Sequence, residues 1–390
     1  MNQIRIIHAK VLTMVGEPIE NGYVTLADGK ITTIGTMETI PQDGCETLDA
    51  AGGWLLPGLI DAHSHIGLYE DSLGFEGEDG NEDTDPITPQ LRVIDGINPM
   101  DRSFVEARAA GVTTVVVSPG SANPIGGQMA AIKTCGRRID DMIVRAPAAM
   151  KFALGENPKS VYHDKEQTPV TRMATASLIR EQLMKAREYA MHQKEAALDE
   201  DKEPRDYDDQ LEALLPVLSG EIAAHFHAHR ADDIFTALRI AKEFSLRPVI
   251  VHGTEAHLVA DLLAPENVPI ISGPFMTDRS KPELTNLTER APALLRQVGV
   301  PVAITTDHPE FPVKYLFDAA RFAVRGGMET DDALRAITID AARIADIADR
   351  VGSIESGKDG DLVLLTGDPF DYRTRVVAVF CDGKQVEGTK

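Results

Sequence analysis

Apolar and polar residues alternate near both ends of the chain, while the middle switches between short apolar runs and segments of helical spacing. Residues 3–13 (QIRIIHAKVLT) and 21–35 (NGYVTLADGKITTIG) have the two-residue period of strands with one buried face. Asp28-Gly29 interrupts the second run and marks a tight hairpin turn. The C-terminal segment repeats this style in GDLVLLTGD (360–368) and RVVAVFCDGKQV (375–386), with Asp382-Gly383 as the turn. Two β-rich ends around a different middle predict one small β-sandwich assembled from residues 1–56 and 352–390.

Between them, residues 57–351 alternate strand-like runs with amphipathic helices. The runs are 58–63, 112–118, 128–133, 146–153, 221–227, 248–252, 268–272 and 301–306. Ile234, Leu238, Ala241 and Phe244 recur at three- and four-residue steps, as do Leu316, Ala319, Ala320 and Ala323. Eight β-runs with intervening helices predict an α/β fold of the (β/α)8 TIM-barrel type. No glycine-rich phosphate loop follows a strand, which removes the main reason to prefer a dinucleotide-binding sheet. In such a barrel the chemistry stands at the C-terminal ends of the strands.

Those ends are rich in metal-ligating side chains. The first strand closes as PGLIDAHSHIG, where His63 and His65, two apart on extended backbone, point the same way. Neutral imidazoles suit a borderline cation such as Zn²⁺. Strand five ends AAHFHAHR, strand six IVHGTEAH and strand eight AITTDHP, adding His227, His252 and Asp307. Five ligands exceed what one tetrahedral Zn²⁺ with an open position needs, so the site is read as holding one or two divalent ions. Two ions need a bridging anion. Lys151, carried inward by the apolar run AAMKFALGENPK, is the candidate once carboxylated to a carbamate, because burial favours its neutral amine. Glu156, which needs no modification, is the alternative bridging ligand, and a plain Lys151 pairing with a carboxylate is the third reading. His229, Asn123 and Gln128 are candidate substrate contacts: His229 shares the face of His227 if the strand continues, and the other two lie in the polar loop SPGSANPIGGQ.

Composition narrows the setting. Sixty-one acidic residues against 39 basic ones give a formal charge of −22, which disfavours nucleic acid and anionic membrane as partners. A 43% hydrophobic fraction argues against disorder. Three scattered cysteines (Cys45, Cys135, Cys381) do not make a disulfide framework. The N-terminal MNQIRIIHAK has no apolar core of a signal peptide, so a cytoplasmic enzyme acting on a small molecule is expected. A homo-oligomer is compatible with the architecture. The acidic loop over residues 66–100 is expected to lie over the barrel mouth, and 193–209 reads as an exposed helix end and connector.

PGLIDAHSH, the HAH, VHG and TTD strand endings, and ITIDAARIADIADRVGSIESGKDGDLVLLTGDP together resemble the amidohydrolase superfamily of metal-dependent hydrolases. The likeness spans nearly the whole chain. Within the superfamily the strand-four lysine is similar to that of isoaspartyl dipeptidases and hydantoinases, while the closer likeness is to imidazolonepropionase-related hydrolases of unassigned substrate. The resemblance implies hydrolysis of C–N bonds in amides or cyclic amides. By position it implies that His63 and His65 bind the more buried metal and His227 and His252 the outer one, with Lys151 bridging. Asp307 would then be both ligand and general base/acid. A deaminase of a small heterocycle is the alternative, although the catalytic Glu that such enzymes carry shortly after the strand-five histidine is missing. A non-catalytic scaffold of the same fold is the second alternative, and its expected mark, loss of ligands, is absent.

Overall fold

The computed structural model describes residues 3–71, 73–199 and 201–386. Its strands are β1 (Gln3–Val11), β2 (Ile19–Ala27), β3 (Lys30–Thr36), β4 (Glu46–Asp49), β5 (Trp54–Pro57), β6 (Leu59–Ser64), β7 (Val112–Val117) and β8 (Ile125–Lys133). They continue as β9 (Ile143–Ala153), β10 (Ala223–Ala228), β11 (Pro248–His252), β12 (Ile270–Ser272), β13 (Val302–Ile304), β14 (Leu362–Leu365), β15 (Val376–Cys381) and β16 (Lys384–Gln385). The helices that matter below are α1 (Arg102–Ala109), α2 (Glu156–Asp164), α3 (Arg172–Leu198), α4 (Asp209–Leu218) and α5 (Ala231–Phe244).

One sheet runs β16-β15-β14-β5-β1-β2-β3, with β4 also paired to β1, so both ends of the chain build it. Its strands alternate between two apolar clusters. Leu55, Leu362, Leu364, Ala378 and Phe380 face Ile6, Val24, Leu26 and Ile31 from the far strands, which requires the sheet to curl over on itself. Leu56, Val363, Leu365 and Val379 take the other side and meet Leu334 of the barrel. The two Asp-Gly turns carry the positive φ that their sequence requires (Asp28 +50°, Gly29 +83°; Asp382 +47°, Gly383 +73°). They also meet: the Gly360 N–H donates to the Gly29 carbonyl and the Gly383 N–H to the Gly360 carbonyl.

The second sheet, β6 through β13 in sequence order, is the barrel. All eight predicted runs are strands in it. Its third strand departs from a regular (β/α)8 pattern, because β8 pairs antiparallel to both β7 and β9. β7, β8 and β9 therefore form a meander, with the acidic segment bridging to β8 at Ile87–Ile125 and Arg92–Gln128 in the place of a covering helix. Alternation sorts the barrel strands: Met129, Ala131, Ala149, Ala223, Val249, Val251, Ile271 and Ala303 make one cluster inside. Ala224, Phe226, Ile250 and Ile270 pack outward against α3, α4 and α5.

The seam between β6 and β13 carries no ladder among the described residues. It is held by Asp61, which is fully buried on β6 and accepts from the hydroxyls of Thr305 (2.7 Å) and Thr306 and from the Thr306 N–H. Burial pushes this carboxyl up to about 6, against the pull of those hydrogen bonds. Cys135 and Cys381, far apart in sequence, line one hollow where the barrel meets the sheet. No helix among the described residues is long and apolar enough to cross a membrane.

Candidate metal centre

Five of the barrel strands end in the side chains that make the site. His63 lies in β6 and His65 just beyond it. Lys151 shares the inner face of β9 with Ala149, level with His225 of β10, and His227 stands one step further along the same face. His252 breaks this rule. Val249 and Val251 face inward, so alternation alone would send His252 out to the helices. Its left-handed backbone (φ +72°) reverses that and turns the imidazole into the barrel. Asp307, beyond β13, is likewise left-handed (φ +54°). Such conformations persist at non-glycine positions when the surroundings over-determine them.

The donors fall into two adjoining groups, His63–His65–Asp307 and His227–His229–His252, each with its ligand atoms within 4.8 Å of one another. In the first, Asp307 Oδ1 stands 3.4 Å from His63 Nε2 and 3.3 Å from His65 Nε2. In the second, the His227 and His252 rings are 4.7 Å apart, and His229 stacks on His252 at 4.6 Å. The groups approach through His63 and His252, whose ring centres are 5.7 Å apart. Lys151, with no exposed surface, has its Nζ 3.4 Å from His63 Nε2.

Several imidazoles are fixed from behind. His65 Nδ1 meets the Ser118 carbonyl at 2.7 Å, His252 Nδ1 the Gly273 carbonyl at 2.9 Å, and His229 Nδ1 the Thr254 hydroxyl at 2.7 Å. Each such contact leaves Nε2 directed at the centre. Burial, helped by neighbouring cationic groups, lowers the pKa of His63, His227 and His229 well below the ordinary value, and burial lowers that of His252 too. Lowered in this way, the rings favour the neutral form that a metal takes. Burial alone would raise the Asp307 carboxyl, but His252, His65 and Lys151 outweigh it and keep it ionised. Burial brings Lys151 down to about 8. His227 Nε2, His63 Nδ1 and Asp307 Oδ1 are buried without a hydrogen-bond partner. Buried polar atoms left this way, in groups of neutral imidazole and carboxylate, fit divalent cations.

A cavity of about 530 Å³ opens over both groups, lined by His65, His227, His229, His252 and Asp307 together with Tyr69, Asn81, Asn157, Lys281 and Glu310 among others. Tyr69 and Asn81 come from the acidic segment, so part of that segment does reach the mouth.

The structure places the four remaining candidates as follows. Asn123 does not line the cavity: it is buried, donates to the Glu82 carbonyl (2.7 Å) and Thr88 Oγ1 (2.9 Å), and accepts from the Tyr162 hydroxyl (2.6 Å). Gln128 faces away from the cavity, on the same side of β8 as the outward Ala130 and Ile132, and lines a small hollow with Arg92 and Val93. Glu156 belongs to neither donor group and does not line the cavity; its backbone N–H, at the start of α2, donates to Glu283 Oε2 at 3.0 Å. His229, expected as a substrate contact, stands inside the second donor group.

Glu283 was missed altogether. Its side chain is 1% exposed, with Oε1 3.6 Å from His229 Nε2 and 3.9 Å from His227 Nε2. It comes from the long connection after β12, where KPEL carries no periodic signal. The Asp61 seam was also invisible, since its partners are more than two hundred residues away.

The profile of the amidohydrolase family matches residues 54–386. The chain belongs to the amidohydrolase family. It is therefore a hydrolase of carbon–nitrogen bonds. The crystal structure of an amidohydrolase from Thermotoga maritima MSB8 is 44% identical, covers 98% of this chain and 99% of its own, and superposes with a TM-score of 0.94. Amidohydrolase tasK of Hapsidospora irregularis is 29% identical over 94% of this chain, which spans 39% of that protein's length. Imidazolonepropionase of Maricaulis maris is 25% identical, with 91% of each chain covered.

Proposed function

We propose that this amidohydrolase cleaves the C–N bond of a small amide or cyclic amide in the cavity above the two donor groups. The observation that carries the reading is the convergence of His63, His65 and Asp307 with His227, His229 and His252 around one buried lysine. His63, His65 and Asp307 would hold one divalent cation and the three histidines a second, Zn²⁺ being the first choice for imidazole-rich donors. A cation held there would supply polarisation of the scissile carbonyl and acidification of water.

The chain's own groups do the rest. Asp307 Oδ1, ionised and without a hydrogen-bond donor, takes the proton of the attacking water and delivers it to the leaving nitrogen. Lys151 supplies a bridging carboxylate when its amine adds CO₂: the N–C bond forms and a proton leaves for solvent. Its complete burial and its position against His63 support that role over Glu156. The cavity volume suits a small molecule.

Deamination is less well supported. Of the acidic residues that follow His229, Asp232 pairs with Arg230 and Asp233 with Arg172, so these carboxylates are occupied elsewhere. The test is a screen of the metal-replete protein over N-acyl amino acids, dipeptides, hydantoins and lactams, with ammonia release followed in parallel. Amide or ring cleavage is the expected result. Ammonia release alone would assign a deaminase, and a protein that takes up no metal and turns over nothing would be a scaffold.

A further inference from the structure

We propose that Glu283 is a fourth donor to the three-histidine group and that Lys281 is its counter-charge until a divalent cation arrives. The inference rests on the reading that this group binds a metal. His227, His229 and His252 bring no negative charge of their own, whereas His63 and His65 have Asp307. Apart from a Lys151 carbamate shared between the two groups, a dication held by three imidazoles in a buried setting gains from an anion of its own. Glu283 is a buried carboxylate on that side, with one oxygen 3.6 and 3.9 Å from two of the three Nε2 atoms. Its other oxygen is tied down by the Glu156 N–H at the start of α2, which fixes the direction of the first.

The directed oxygen also faces a cationic side chain. Its cationic partner is Lys281, with Nζ 2.9 Å from the same Oε1. Lys281 is 27% exposed, lines the cavity and also donates to the Asn157 amide oxygen at 2.9 Å. An ammonium on a mobile stem is easily displaced from the carboxylate by a fixed dication. A cation at the histidines and the Lys281 ammonium thus compete for one oxygen, and the two residues affect metal affinity in opposite directions.

The experiment is titration of metal-stripped full-length protein with Co²⁺ and Zn²⁺, read by affinity, stoichiometry and the visible absorption of bound Co²⁺. A His229→Ala variant identifies which binding step belongs to the three-histidine group. Glu283→Gln should weaken that step about 10- to 100-fold and alter its Co²⁺ spectrum, leaving the other step unchanged. Lys281→Met should tighten it. Unchanged affinity and spectrum in Glu283→Gln would overturn the proposal while leaving the metal reading intact, whereas a wild-type protein that binds neither ion would overturn both. Should Glu283→Gln fail to fold, Lys281→Met decides: weaker or unaltered binding sinks the idea.

Discussion

Asp307 and Lys151 show how much chemistry one position can concentrate. Asp307 is buried, left-handed in backbone and directed at two imidazoles. An Asp307→Asn substitution keeps the shape and removes the proton acceptor. The purified variant should retain bound metal at His63 and His65 and lose about 10²- to 10⁴-fold in kcat; full turnover would refute the role. Lys151→Ala should lose activity that short carboxylic acids partly restore, and intact protein under CO₂ should show the carbamate by mass. Activity that survives Lys151→Ala without added acid would end the bridging role. Asn123 gives the contrasting case. Asn123→Leu strips a buried amide of three hydrogen bonds and should destabilise by about 2–4 kcal/mol in denaturant melts, with KM unmoved.

At the scale of elements, the barrel depends on a few side chains where backbone pairing stops. Asp61 joins β6 to β13 below the donors, so Asp61→Ala removes the acceptor of the Thr306 hydroxyl and N–H and one of the two acceptors of the Thr305 hydroxyl. A loss of about 3 kcal/mol is expected, and a Thr306→Val change, whose hydroxyl donates to Asp61, should cost less in that background than in the wild type in a double-mutant cycle. Full additivity would mean that the seam is held otherwise. At the opposite end of β8, buried Lys133 reaches Asp361 (2.6 Å), Asp359 (3.0 Å) and Asp382 (3.2 Å), tying the antiparallel strand to the C-terminal segment. The eight strands were legible because short apolar runs between turn signals are local patterns. The direction of β8 was not, since parallel and antiparallel pairings bury the same side chains.

At the scale of the molecule, the curled sheet and the barrel share the Leu56–Val363–Leu334 contact and should unfold together. The single tryptophan, Trp54, lies in β5 under the Lys10 ammonium, so its fluorescence reports the sheet while far-UV circular dichroism reports mostly barrel helices. Both signals should change at one midpoint. Metal removal should lower that midpoint, by an amount equivalent to about 4 kcal/mol when the free ion stands at ~1,000 times its Kd. A midpoint indifferent to chelator would count against the metal centre.

The sequence by itself determined which segments become strands and helices, where the tight turns fall and which strand ends carry histidine. Those are properties of short windows, set by side-chain period and by backbone preference. Tertiary structure alone decided that His252 faces inward, through one left-handed residue that alternation does not anticipate. It also decided that Glu283 stands beside His229 and that Asn123 and Gln128 do not reach the cavity. Such facts depend on how distant segments pack, and packing is settled by volume, hydrogen-bond satisfaction and strand direction over the whole chain.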